Sequence, residues 1–136
     1  MPNTSINLFV YGTLMPGDGW NNSLIADYIL SARPATIRGT LVDLGMIPAL
    51  INGDGIVTGM LLEVDPAALI ITDRLEGVPH FYNRAQVIAQ CANGSEVEAW
   101  TYFYSDVERA AQCPRLLVGN KHGTPVYEWV RSHNPS

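Results

Sequence analysis

Lysine is almost missing from this chain. Lys121 is the only one, and no run of Lys or Arg occurs anywhere. With a formal net charge of −5, that excludes a nucleic-acid binder held by backbone phosphates, which needs a basic face to release counterions. Charge of either sign is scarce at 15%, against 47% hydrophobic residues, which favours a packed core over disorder. No apolar run approaches the roughly 20 residues of a membrane span, so no membrane partner is expected. Met1-Pro2-Asn3-Thr4-Ser5 lacks the basic start and apolar stretch of a signal peptide, and the expected location is cytoplasmic. The two cysteines, Cys91 and Cys113, have no zinc or redox spacing and are expected to be free thiols used as small hydrophobes. His80, His122 and His133 show no metal-ligand spacing. A Gly-x-Ser-x-Gly elbow, a phosphate loop and a dinucleotide fingerprint are all missing.

What is there fits one domain over residues 1–136. Residues 6–10 read as a buried first strand ending at Tyr11-Gly12. A turn-rich stretch, Met15 to Gly19, follows, and Asn22 or Ser23 caps a short helix carrying Leu24, Ile25, Tyr28 and Ile29. Strands are expected at 37–44, 49–51 and 56–64, with Asn52-Gly53-Asp54-Gly55 as a turn. The clearest helix spans 66–76: Asp65 can cap it, Pro66 suits its first position, and Gly77 suits the left-handed residue after its end. Residues 84–91 and 97–104 read as a hairpin around Asn93-Gly94. A three-residue loop is preferred there, because it puts Val87, Ala89 and Cys91 on one face with Val97, Ala99, Thr101 and Phe103. Ser105 to Glu108 has the form of a capping box, and Thr124-Pro125 opens a last helix carrying Val126, Trp129 and Val130. Strands dominate and neighbours pair mostly antiparallel, so the fold class is α+β with a curved or closed sheet.

Two places can carry chemistry. A strand that ends in Tyr11-Gly12-Thr13-Leu14 and runs into Pro16, Gly17 and Gly19 leaves backbone N–H groups without ladder partners. Such a loop can bind a carboxylate or a developing oxyanion, though on these residues alone a bare strand-end turn is the favoured reading. Glu76 closes the 66–76 helix, where the negative end of the helix dipole opposes ionisation. Shielding by Leu75, Val78 and Phe81 would push its pKa the same way, toward that of a general base at neutral pH; taken alone, the residue reads more readily as a solvated Glu on the helix surface. Arg84, two residues beyond Tyr82 on the same strand face, can hold a substrate carboxylate or pair with Asp73 or Glu76; the structural pair is favoured. Trp100 to Tyr104 alternates as a core strand should.

Taken in order, these segments resemble the γ-glutamylcyclotransferase-like family, which includes γ-glutamylamine cyclotransferases and the plant avirulence-induced-gene-like proteins. The resemblance runs through Leu8-Phe9-Val10-Tyr11-Gly12-Thr13-Leu14-Met15-Pro16-Gly17, then 56–64, and is strongest at Asp73-Arg74-Leu75-Glu76-Gly77 with Tyr82 and Arg84. It implies a small mixed, mostly antiparallel β-barrel flanked by a few short helices. It implies that Tyr11, Gly12, Thr13 and Leu14 bind substrate, that Tyr82 lines the pocket, and that Glu76 is the catalytic acid/base. The implied reaction converts a γ-glutamyl amine or peptide to 5-oxoproline and free amine, with no metal or other cofactor. Two alternatives share the fold: a non-catalytic module binding a small metabolite, and a related γ-glutamyl acyl transfer in a biosynthetic pathway. Met15 stands where many relatives carry a basic residue, and Asn120-Lys121-His122 departs from an acidic-aromatic pair often found there. The amine portion of the substrate would meet the variable loops at 18–21 and 78–80.

Overall fold

In the computed structural model, which describes residues 4–17 and 19–130, the first apolar run forms β1 (Ile6–Val10). After a loop come two 3-10 turns, Asn22–Leu24 and Ala26–Tyr28. β2 (Ile29–Asp43) and β3 (Pro48–Val64) follow, then α1 (Ala67–Leu75), β4 (Tyr82–Cys91), β5 (Glu96–Tyr104), α2 (Val107–Ala111), β6 (Leu117–Lys121) and β7 (Thr124–Tyr127). None of the described helices is long and apolar enough to cross a membrane.

β1 is the strand that closes the sheet. It pairs antiparallel with β3, from Ile6 opposite Val64 to Val10 opposite Met60, and parallel with β5 at Leu8 and Trp100. The antiparallel pairs β2–β3, β2–β4 and β4–β5 complete the circuit β1-β5-β4-β2-β3. The result is a mixed barrel with short helices outside it, as the resemblance implies. β7 adds to β3 in parallel and β6 pairs with β7, outside the barrel.

Because successive side chains on a strand point to opposite faces, β1 feeds two cores. Phe9 and Tyr11 join Ile37, Leu41, Val57, Leu61, Ala89 and Ala99, a cluster drawn from all the barrel strands that fills the interior. Leu8 and Val10 join Leu62, Val64, Tyr102 and Ala68 of α1, packed between the wall and the helices. A strand buried on both faces reads as a continuous apolar run, which is what Leu8-Phe9-Val10 is.

The hairpin register matches the expectation: Val87 faces Ala99, Ala89 faces Val97, and Gln90 faces Glu96. The Cys91 N–H donates to the Ser95 carbonyl at 2.9 Å, leaving a three-residue loop in which Gly94 has φ +89°. α1 also keeps its expected ends. The Asp65 carboxylate accepts from the Ala67 N–H at 2.9 Å, and Gly77 takes φ +63°. Cys91 and Cys113 are free thiols.

Four local expectations are corrected. Asn52-Gly53-Asp54-Gly55 is not a turn between strands. β3 runs through it, and the segment bulges where the partners of β3 pass from Thr40 (opposite Ile51) to Arg38 (opposite Ile56). These glycines serve close approach: a Cβ on Gly53 would strike the Thr40 hydroxyl, and one on Gly55 the Tyr127 ring. Thr124-Pro125 opens β7 rather than a helix, because His122 (φ 52°) and Gly123 (φ 85°) form a tight turn that folds it back on β6. The second helix is capped by Asp106, whose carboxylate accepts from the Arg109 N–H at 3.1 Å; Ser105 instead bonds Asn83. The segment from Asn22 forms 3-10 turns in place of an α-helix, and only Ile25 in it is fully buried.

Candidate active site

A cavity of about 480 Å³ opens beside the end of β1. Tyr11, Gly12, Thr13, Leu14, Glu76 and Tyr82 all line it, so the residues that the resemblance assigns to the site meet at one place. Tyr102 and Tyr104 of the alternating β5 segment line it as well.

The loop after β1 is tied to itself. The Met15 N–H donates to the Gly12 carbonyl at 2.9 Å, and the Asn21 N–H to the Thr13 carbonyl at 2.8 Å. The Asn21 side-chain amide reaches Thr13 Oγ1 at 3.0 Å, and that of Asn22 reaches the Leu14 carbonyl at 2.9 Å. These bonds use the loop's carbonyls and the Thr13 hydroxyl as acceptors. Among the described residues, none of the loop's hydrogen bonds uses the N–H of Gly12, Thr13 or Leu14. N–H groups left without an acceptor in this way are what an anion-binding loop needs. Gly12 is required by packing, since a Cβ there would come within 2.6 Å of Pro48 Cγ. The sequence alone makes Asn22 or Ser23 a helix cap and puts Asn21 in a variable loop; the structure uses the side chains of both asparagines to staple the loop.

Glu76 follows the last residue of α1, with its own N–H still bonded to the Thr72 carbonyl at 2.9 Å. Burial pushes its carboxyl from the ordinary 4.5 up to about 7. Among the described residues its side chain has no ion-pair partner. Leu75 and Phe81, expected to shield it, do line the cavity but are themselves 36% and 66% exposed. Buried aromatic groups of the barrel share in the drying: the charge of Glu76 acts on the phenols of both Tyr11 and Tyr82. Those phenols are fixed. Tyr11 Oη donates to the Tyr102 carbonyl at 2.7 Å, and Tyr82 Oη to the Pro48 carbonyl at 2.9 Å. Burial first, then the neighbouring Glu76 or tyrosine charge, raises both phenol pKa values, so both stay protonated at neutral pH.

A polar brace stands behind the helix. Asp73 takes a forked pair of bonds from Arg84, at 2.9 and 3.1 Å, and a third from Tyr102 Oη at 2.6 Å. Thr72 Oγ1 lies 2.6 Å from the same phenol oxygen, and the guanidinium carbon of Arg84 sits 4.6 Å from the Trp100 ring centroid. Arg84 is thus the structural pair of Asp73 and does not line the cavity. The cationic side chain that does is Arg109 of α2, which sequence reasoning did not single out. Its only signal was an Arg on a capped helix one turn after the aromatic strand.

The closed mixed barrel thus gathers the loop after β1 and one carboxyl whose pKa is raised by burial into a shared cavity. The chain matches the family described as "Gamma-glutamyl cyclotransferase, AIG2-like" over residues 8–123, and it belongs to that family of transferase-type enzymes. A Methanocaldococcus jannaschii protein provisionally named a gamma-glutamylcyclotransferase is 32% identical over 102 residues, covering 73% of this chain and 84% of that one. The gamma-L-glutamyl-butirosin B gamma-glutamyl cyclotransferase of Niallia circulans is 33% identical over 106 residues, with 73% and 67% covered. The crystal structure of an AIG2-like protein from Mus musculus shares the fold, with a TM-score of 0.68 at 24% identity over 96% of this chain and 99% of the other.

Proposed function

We propose that the chain cyclises a γ-glutamyl amine or peptide to 5-oxoproline, with Glu76 as general acid/base. The observation that carries this reading is Glu76: a carboxylate raised to about 7 by burial, in one cavity with the Gly12-to-Leu14 donors. In the reaction the α-amino nitrogen of the glutamyl group attacks its own γ-carbonyl carbon. A ring C–N bond forms, the bond to the amine breaks, and the γ-carbonyl oxygen carries negative charge in between. Two things obstruct this: the amine is protonated at neutral pH, and the chain must curl.

The loop N–H groups suit the glutamyl carboxylate or the oxyanion, and holding the group curled captures part of the effective molarity of an intramolecular step. Glu76 takes a proton from the α-ammonium and later delivers one to the departing nitrogen. Its pKa near 7 makes both halves feasible at working pH. The Tyr82 hydroxyl is committed to Pro48, so its role here is to line and dry the cavity. None of these steps requires a metal, a nucleotide or another cofactor.

The test is 5-oxoproline release. Glu76→Gln keeps the shape and removes the proton carrier; kcat is expected to fall by about 10²- to 10⁴-fold. A variant as fast as wild type would sink the assignment. A second reading has one observation in its favour: the Niallia circulans relative is named for γ-L-glutamyl-butirosin B, so the amine released can belong to a biosynthetic product. Adding large γ-glutamylated amines to the substrate panel separates the two by their relative kcat/KM.

A further inference from the structure

Resting on that cyclotransferase reading, we infer that Arg109 receives a carboxylate on the leaving group, so that the preferred substrates are γ-glutamyl amino acids or peptides with an apolar side chain. Among the described residues, Arg109 is the only cationic side chain lining the cavity and Glu76 the only carboxylic acid. They occupy different depths. Glu76 is dry enough to be half neutral, whereas Arg109 is exposed on α2 at the rim.

The guanidinium is held but not neutralised. Its Nη1 donates to Tyr104 Oη at 3.3 Å. Tyr104 is only 8% exposed and packs edge-on against Tyr82 at 5.3 Å between centroids. A buried phenol thus anchors the cation over the same wall that dries Glu76. The nearby carboxylate of Asp106 accepts from the backbone N–H of Arg109. Among the described residues, the ion pair present is Arg84 with Asp73, and Arg109 has none. A planar fork with four of its five N–H donors open among the described residues suits a carboxylate geometrically.

The rest of the rim gives the leaving group its apolar part. Met46 and Phe81 line the cavity while 80% and 66% exposed, and Leu75 stands beside them. A γ-glutamyl amino acid satisfies both ends: the glutamyl carboxylate meets the loop donors, the second carboxylate meets Arg109, and the side chain covers Met46 and Phe81.

The experiment compares γ-glutamyl-leucine with γ-glutamyl-3-methylbutylamide, which differs only in lacking the leucine carboxylate. Wild type is expected to prefer the acid by about 10-fold in kcat/KM, mostly through KM, the modest size reflecting a solvent-screened charge. The preference should shrink as salt is raised. Arg109→Met should bring the ratio to about one, Arg109→Glu should invert it, and Arg109→Lys should retain part of it. Equal use of the two substrates by wild type overturns the inference, as does a ratio that Arg109→Met leaves unchanged. The latter result would mean that the leaving-group carboxylate is recognised without Arg109. Calorimetric binding of both compounds to Glu76→Gln protein separates this from the catalytic reading. Tighter binding of the acid upholds Arg109 even if wild type releases no 5-oxoproline, which would sink the cyclotransferase reading alone. Equal affinities, or no binding of either, sink the Arg109 inference whatever the turnover.

Discussion

At the scale of single residues, Glu76 ties activity to pH and stability in opposite senses. Its carboxyl titrates near 7 when folded and near 4.5 as an ordinary glutamate. Folding therefore takes up a proton between those values, so the full stability is present below about 4.5 and declines as pH rises through 7. Above 7 the buried charge costs at most about 3 kcal/mol. Glu76→Gln should thus be more stable than wild type at pH 8, by a margin that vanishes toward pH 4.5, as read from urea unfolding at both pH values. Activity runs the other way. A base must be ionised to accept a proton, so kcat/KM should fall below about pH 7 with unit slope. The protein is expected to be most active where this residue most weakens it.

At the scale of elements, α1 positions that carboxylate, and the brace behind it is what can be tested. Asp73 gathers bonds from Arg84 and Tyr102, and both donors sit on barrel strands. The brace therefore ties the C-terminal turn of α1 to the wall. The Arg84 and Asp73 side chains are 27% and 28% exposed, so the value of their pair lies between that of a surface and a buried pair. Arg84→Met is expected to cost about 1–2 kcal/mol and to lower kcat more than it raises KM, through loosened placement of Glu76. A kcat equal to wild type would show that Glu76 is held without the brace.

The elements also show what sequence reasoning could reach. α1 was readable because its stop signals are local: Asp65 and Gly77 do what their types do in any chain. The β4–β5 register was readable because one burial pattern admits a single pairing. Asn52 to Gly55 misled because the same glycines that make turns also permit close contact, and the contacts here come from Thr40 and Tyr127, distant in sequence. Pro125 misled for a related reason: β7 exists because β3 offers it an edge. Glu76 could be found by its place at a helix end. Arg109 could not, because its part depends on Tyr104 and the cavity rim.

At the scale of the whole molecule, barrel closure depends on how near β1 lies to β3. Gly59 sits at that seam, where a Cβ would strike the Val10 carbonyl and approach the Phe9 ring at 2.7 Å. Gly59→Ala is expected to destabilise by about 1–3 kcal/mol, measured as a lower urea midpoint. Gly119→Ala, in open space on β6, should stay within about 0.5 kcal/mol. Similar losses in both would mean that the seam tolerates a methyl group.

The parallel pairing of Leu8 with Trp100 also sets an order of events during translation. The β1 edge is made before its β5 neighbour, which follows some ninety residues later, a wait of about 5–20 s at ordinary elongation rates. Pairing with β3 can protect one side of Leu8-Phe9-Val10 earlier; the other side stays unpaired. The bonds from Tyr11 to Tyr102 and from Thr101 to Phe9 cannot form before then. A nascent chain released before β5 would therefore hold most of the barrel's apolar residues and no working cavity, which makes it a substrate for chaperones and proteases before it can act as an enzyme.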